Sequence, residues 1–90
     1  MPVFQYELRT ASGVFVARFD FAYPERKHAF EVDGYEHHGS PLAMERGFDR
    51  DRAARREGWE VDHFMWSHVV RRQKYVADVI LRVLGRPTAA

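Results

Sequence analysis

The stretch Tyr23-Pro24-Glu25-Arg26-Lys27-His28 constrains this chain most, because it joins two runs of strong β character through a short turn rich in turn-forming residues. A loop of Pro24 to Lys27 sets Tyr23 opposite His28. Paired positions in an antiparallel ladder have a constant sum, so the same register sets Asp20 opposite Glu31. Opposed residues share a sheet face with Cβ atoms ~4.5–5.5 Å apart. Asp33, two positions after Glu31, falls on the face of Glu31. The register therefore predicts that Asp20, Glu31 and Asp33 gather on one face. The apolar neighbours in Ala29-Phe30-Glu31-Val32-Asp33 mark that strand as central. Like charges directly opposed destabilise a sheet unless something compensates. Pairing of Asp20 and Glu31 with Arg18 or with helix arginines is one compensation, and solvation of the face is another. A hard divalent cation is a third: magnesium is held by one or two carboxylates with waters and phosphate oxygens, and Asp20, Glu31 and the backbone carbonyl of Val32 make such a set.

The rest of the chain reads as one α/β domain. Val3 to Leu8 alternate, Ala11-Ser12-Gly13 supplies a turn, and Val14 to Phe21 alternate again, with Phe15, Ala17, Phe19 and Phe21 on one face and Val14, Val16, Arg18 and Asp20 on the other. His28 to Asp33 completes a three-stranded meander. Ser40-Pro41 is an N-cap followed by proline, so a helix is predicted from Pro41 to Glu57, closed by Gly58. Its thin apolar stripe holds Met44, Phe48 and Ala54, with Asp51 among them. Trp59, Val61, Phe64 and Met65 read as a strand, with Trp59 in the core. Val76, Val79, Ile80, Val83 and Leu84 then recur at helical spacing before Gly85-Arg86-Pro87. The predicted order is βββαβα, with a core over about 3–84 and 85–90 as a flexible tail.

Composition narrows the function classes. The chain has 90 residues, 46% of them hydrophobic, 14% aromatic and 30% charged, as a folded globular domain has. No apolar run reaches the ~20 residues of a membrane span, the start carries no basic segment leading into an apolar one, and a cytoplasmic protein is expected. The absence of cysteine removes disulfides, thiolate catalysis and Cys-ligated zinc. The histidines lack a helical His-x-x-x-His pair, and His37-His38 is poor chelating geometry, so zinc is not expected. Of 14 basic residues only Lys27 and Lys74 are lysines, leaving 12 arginines. Guanidinium forks suit phosphate and carboxylate.

Four segments, taken in order, carry a family resemblance: Arg18-Phe19-Asp20-Phe21-Ala22-Tyr23-Pro24-Glu25; Glu31-Val32-Asp33-Gly34-Tyr35-Glu36-His37-His38; Arg50-Asp51 with Gly58-Trp59; and Phe64-Met65-Trp66. Together they resemble a very-short-patch-repair-like endonuclease domain of the PD-(D/E)XK nuclease superfamily over roughly residues 3–84. The resemblance implies a restriction-endonuclease-like core, a mixed sheet flanked by helices, and Mg²⁺- or Mn²⁺-dependent hydrolysis of DNA phosphodiesters in repair or phage defence. Asp20 and Glu31 would be its first and second acids and ligate the metal. Asp33 stands where the superfamily pattern has lysine, as in the very-short-patch-like relatives, and would act as a metal ligand or base. His37, by the spacing Asp-Gly-x-x-His, is the expected proton carrier, with His38 as the substitute and the other reading an exposed loop pair.

Arg18, His38, Arg50, Arg52, Arg71 and Arg72 are the expected DNA contacts, Arg50 reaching phosphate or buttressing a carboxylate. Plain solvated salt bridges are the alternative for the helix arginines, and solubility for those near Lys74. Relatives carry arginine near position 63; His63 is expected to be mostly neutral at pH 7. They also carry a helix ahead of the first strand, which here starts at Val3, so one sheet face should be solvated, covered by the final helix, or buried by a partner. A homodimer through Phe4, Tyr6 and Leu8 or the first strand's edge is expected. The rival function is a catalytically inactive nuclease-fold module that binds DNA or a protein partner.

Overall fold

In the computed structural model, residues 1–33 and 41–86 are described. The elements are β1 (Val3–Arg9), β2 (Phe15–Tyr23), a 3₁₀ turn (Pro24–Arg26), β3 (His28–Asp33), α1 (Pro41–Arg56), β4 (Glu60–Met65), α2 (Trp66–Arg71) and α3 (Gln73–Leu84). They form a four-stranded mixed sheet in the order β1-β2-β3-β4. β1, β2 and β3 are an antiparallel meander, and β4 adds to β3 in parallel through the α1 crossover. The single final helix expected from the Val76 to Leu84 periodicity is two helices. Arg72, at φ −129° and ψ 52°, breaks the path between them.

Each turn has a local cause. At the first, the Thr10 hydroxyl accepts from the Val14 N–H at 3.0 Å, and Gly13 takes φ 89°. At the second, Lys27 sits at φ 50° with its N–H on Pro24 O. Tyr23 faces His28 as the loop length predicts, and the same register continues through Ala22↔Ala29 and Phe21↔Phe30. Gly58, at φ 82°, ends α1 with its N–H on Arg55 O, and Trp59 N–H returns to Ala54 O, which turns the indole into the core. Ser40, the expected N-cap, lies outside the described residues.

Two apolar clusters sandwich the sheet. On one face Leu8, Ala17, Phe19, Ala22, Ala29 and Trp59 pack with Ala54 of α1, and the alanines let helix and sheet approach closely. On the other, Tyr23, Phe30 and Phe64 pack with Val83 of α3, Phe30 stacking between Phe21 at 4.9 Å and Phe64 at 5.8 Å. His28 is buried on that side, with Nε2 2.6 Å from Asp62 Oδ2.

Strict alternation along β2 fails at one point. Phe19 belongs to the α1 face and Phe21 to the α3 face, so Phe15 to Phe21 do not share one side. The cause lies at Gln5 and Asp20, which are absent from the β1–β2 pairs between Phe4↔Phe21 and Tyr6↔Phe19, a break separate from the register shift at Leu8/Arg9: Gln5 has φ 52°, and the Asp20 carboxylate takes the Val32 N–H at 2.7 Å. Both strands turn over there. Tyr6 consequently stacks on Trp59 at 5.2 Å and Leu8 is 3% exposed, so neither is free to make the dimer contact expected of it, whereas Phe4 remains 70% exposed. With α1 on one face and α2 and α3 on the other, no whole sheet face is bare.

The inward stripe expected on α1 is corrected as well. Only Ala54 is buried; Met44 and Phe48 are 50% and 60% exposed. The helix meets the sheet at its C-terminal half, and its N-terminal half stands off.

Candidate active site

That stand-off leaves a cavity of about 640 Å³. From the sheet it is lined by Asp20, Glu31, Val32, Asp33 and His63. From α1 come Met44, Arg46, Gly47, Phe48, Arg50 and Asp51. The three carboxylates predicted from the hairpin register thus do converge, but by different routes. Glu31 and Asp33 project toward α1 by strand alternation, while Asp20 reaches in from the point where β2 turns over.

Glu31 is the most perturbed group. It is 7% exposed, and its Oε1 lies 3.0 Å from Arg50 Nη1. Burial first, and then a hydrogen bond with Asp20, push its carboxyl up to about 8 against the lowering pull of Arg50. In its protonated form Glu31 can donate to Asp20 while still accepting from Arg50. Arg50 is in turn placed by Phe19, whose ring centroid is 5.6 Å from the guanidinium carbon.

Beside this pair lies a bridge that the sequence did not reveal. His63 Nδ1 is 3.0 Å from Asp33 Oδ2, and its Nε2 is 2.7 Å from Asp51 Oδ2. Both ring nitrogens face carboxylate oxygens, which only the imidazolium satisfies as a double donor. Burial alone would lower its pKa, but Asp51 and then Asp33 outweigh that and raise it. The expectation of a mostly neutral His63 is corrected accordingly. Neither partner was legible, since the parallel pairing Glu31↔His63 depends on how the α1 crossover docks.

Of the expected DNA contacts, Arg50 alone lines the cavity among the described residues, and it buttresses Glu31. Arg18 is drawn off to Glu7 at 2.8 Å. Arg52 is exposed away from the cavity, Arg71 ends α2 on the opposite face, and Arg72 stacks on Tyr75 at 4.5 Å. His37 and His38 lie outside the described residues. Arg46 and Gly47 enter the cavity lining without having been singled out.

Among the described residues, no group of three or more His, Asp or Glu side chains is arranged to hold a metal ion. The donors present are hard oxygens: Asp20 and Glu31 each commit one oxygen, to Val32 N–H and to Arg50. Hard carboxylate oxygens of Asp20, Glu31 and Asp33 on one cavity wall fit a hard cation whose shell water and phosphate would complete. No family model, curated protein or solved structure matches the chain.

Proposed function

We propose that the chain is a Mg²⁺- or Mn²⁺-dependent endodeoxyribonuclease with a PD-(D/E)XK-type core, in which Asp20, Glu31 and the Val32 carbonyl hold the cation. The observation that carries this reading is the convergence of Asp20, Glu31 and Asp33 on one cavity wall, where three neighbouring carboxylates call for compensating positive charge. When bound, such a cation polarises a phosphate oxygen and lowers the pKa of an attacking water. The residues around it are suited to the rest. With Glu31 protonated, Asp20, Asp33 and Asp51 are matched by Arg46, Arg50 and His63. A dication in place of that proton would set four carboxylates against five positive charges, and a net single positive charge would complement a phosphodiester.

Arg50 pairs with Glu31 at 3.0 Å, and were a cation to take that carboxylate the guanidinium would be free to bind phosphate oxygens. The His63 imidazolium holds Asp33 and Asp51 in fixed orientations at the cavity wall. His37 keeps the proton-carrier role that the resemblance implies.

One observation favours the inactive module instead: each carboxylate already has a partner, so the cavity is charge-balanced without any cation. A divalent-metal titration with a cleavage assay on nicked, mismatched, single-stranded and duplex DNA separates the two. Metal-dependent products that disappear in Glu31→Gln support the nuclease. DNA binding without products in any metal supports the module.

A further inference from the structure

The cavity has more room than a cation and one phosphate require, and α1 lines it unevenly. At helical spacing Gly47 points at the centre of the lining face, with Arg46 and Arg50 on one flank and Met44 and Phe48 on the other, beside Asp51, which is held by His63. A Cβ placed on Gly47 meets nothing within 4 Å. Glycine in mid-helix is unfavourable relative to alanine, and no close packing here requires it. What its lack of a side chain does is keep the cavity open between a cationic strip and an apolar one. Met44 and Phe48 are large, half-exposed and one turn apart, in contact with the same space as the acid pair.

Taking the nuclease reading as its basis, we infer that this strip is a subsite for an unpaired nucleobase beside the scissile phosphate, and that the substrate class is single-stranded or flapped DNA rather than intact duplex. The cationic flank suits the phosphate that enters with the base, and Phe48 with Met44 offers the face on which a base of any sequence stacks. A cavity of about 640 Å³ lies within the range of small-ligand sites and accommodates a nucleotide. A paired base can enter only after unstacking and leaving its partner, so duplex binds more weakly by the cost of that step.

The test is fluorescence anisotropy of end-labelled single-stranded, flapped and fully paired DNA of one sequence, in Mg²⁺ before products accumulate. It compares the native chain with Gly47→Leu, Phe48→Ala and Phe48→Trp. Gly47→Leu improves helix propensity while filling the cavity, and the Phe48 variants change an exposed side chain, so folding is retained, as circular dichroism checks. Single-stranded and flapped DNA should bind more tightly than duplex. Gly47→Leu and Phe48→Ala should lose roughly 10- to 100-fold on the unpaired substrates and under about twofold on duplex, the range of one base–aromatic stack. Phe48→Trp should retain binding and report it by quenching.

Equal losses on duplex, or none on single strands, would overturn the subsite while leaving DNA binding in place. Conversion of a dimer to a monomer by Phe48→Ala with unchanged single-strand affinity would reassign the strip to a subunit contact. Failure of the native chain to bind any DNA would instead remove the nuclease reading itself.

Discussion

Glu31→Gln is the sharpest probe of the acid pair, because glutamine copies the protonated acid: its amide N–H₂ donates to Asp20 and its oxygen still accepts from Arg50. The native carboxyl, raised from 4.5 to about 8, keeps in the folded state a proton that the unfolded chain releases above pH 4.5. The sign follows from linkage. Glu31 contributes stability that is complete below pH 4.5 and lost as pH rises through about 8. At about 1.4 kcal/mol per pKa unit the span corresponds to a ceiling of roughly 5 kcal/mol, and relaxation with water entry brings the expected loss to ~2–3 kcal/mol. For a domain this small, each kcal/mol moves the melting temperature by ~4–8 °C. Thermal melts across pH 5 to 9 should therefore show the native chain falling by ~10–20 °C relative to Glu31→Gln. Mg²⁺ should restore much of the loss at pH 8.5 in the native chain alone, because metal binding there replaces the proton. Parallel melting curves for the two proteins across that window, or equal rescue of both by Mg²⁺, would refute the shared-proton account.

Other predictions follow from the same contacts. Asp20→Asn keeps an oxygen for the Val32 N–H but removes the charge, so titration calorimetry should find Mg²⁺ and Mn²⁺ affinity lost while the fold persists; unchanged affinity would place the metal elsewhere. His63→Ala leaves Asp33 and Asp51 without their common donor and should cost ~1–3 kcal/mol near pH 6, with a smaller cost at pH 9. His63 has a raised pKa, so its contribution is complete below pH 6.5 and fades as pH climbs through the folded value; denaturant melts at the two pH values check the direction. The edge of β1, with Phe4 exposed beside Phe21, is the remaining dimer contact, and sedimentation equilibrium at micromolar concentration should show self-association that Phe4→Glu abolishes; a clean 10.6 kDa native monomer would rule it out.

What the sequence determined by itself is local. The Pro24–Lys27 loop length sets Tyr23 opposite His28, and that register runs on through Ala22↔Ala29 and Phe21↔Phe30. Gly58 ends α1, and Trp59 enters the core because the chain reverses there. The strand His28–Asp33 carries its acids on one face by simple alternation. Turn chemistry and period-two patterning act between near neighbours, and so they are legible without a fold.

Tertiary structure decided the rest. Asp20 does not simply project from its strand; it replaces a ladder hydrogen bond where β1 and β2 turn over together, a choice made jointly by Gln5, Asp20 and Val32. The proton on Glu31 depends on burial under α1, and the charge on His63 depends on two carboxylates, one on that helix and one on the neighbouring strand. The cavity exists because α1 docks through Ala54 and stands away at Gly47. Protonation states and cavities belong to distances between elements, and residue spacing along the chain does not encode how far apart two packed elements come to rest.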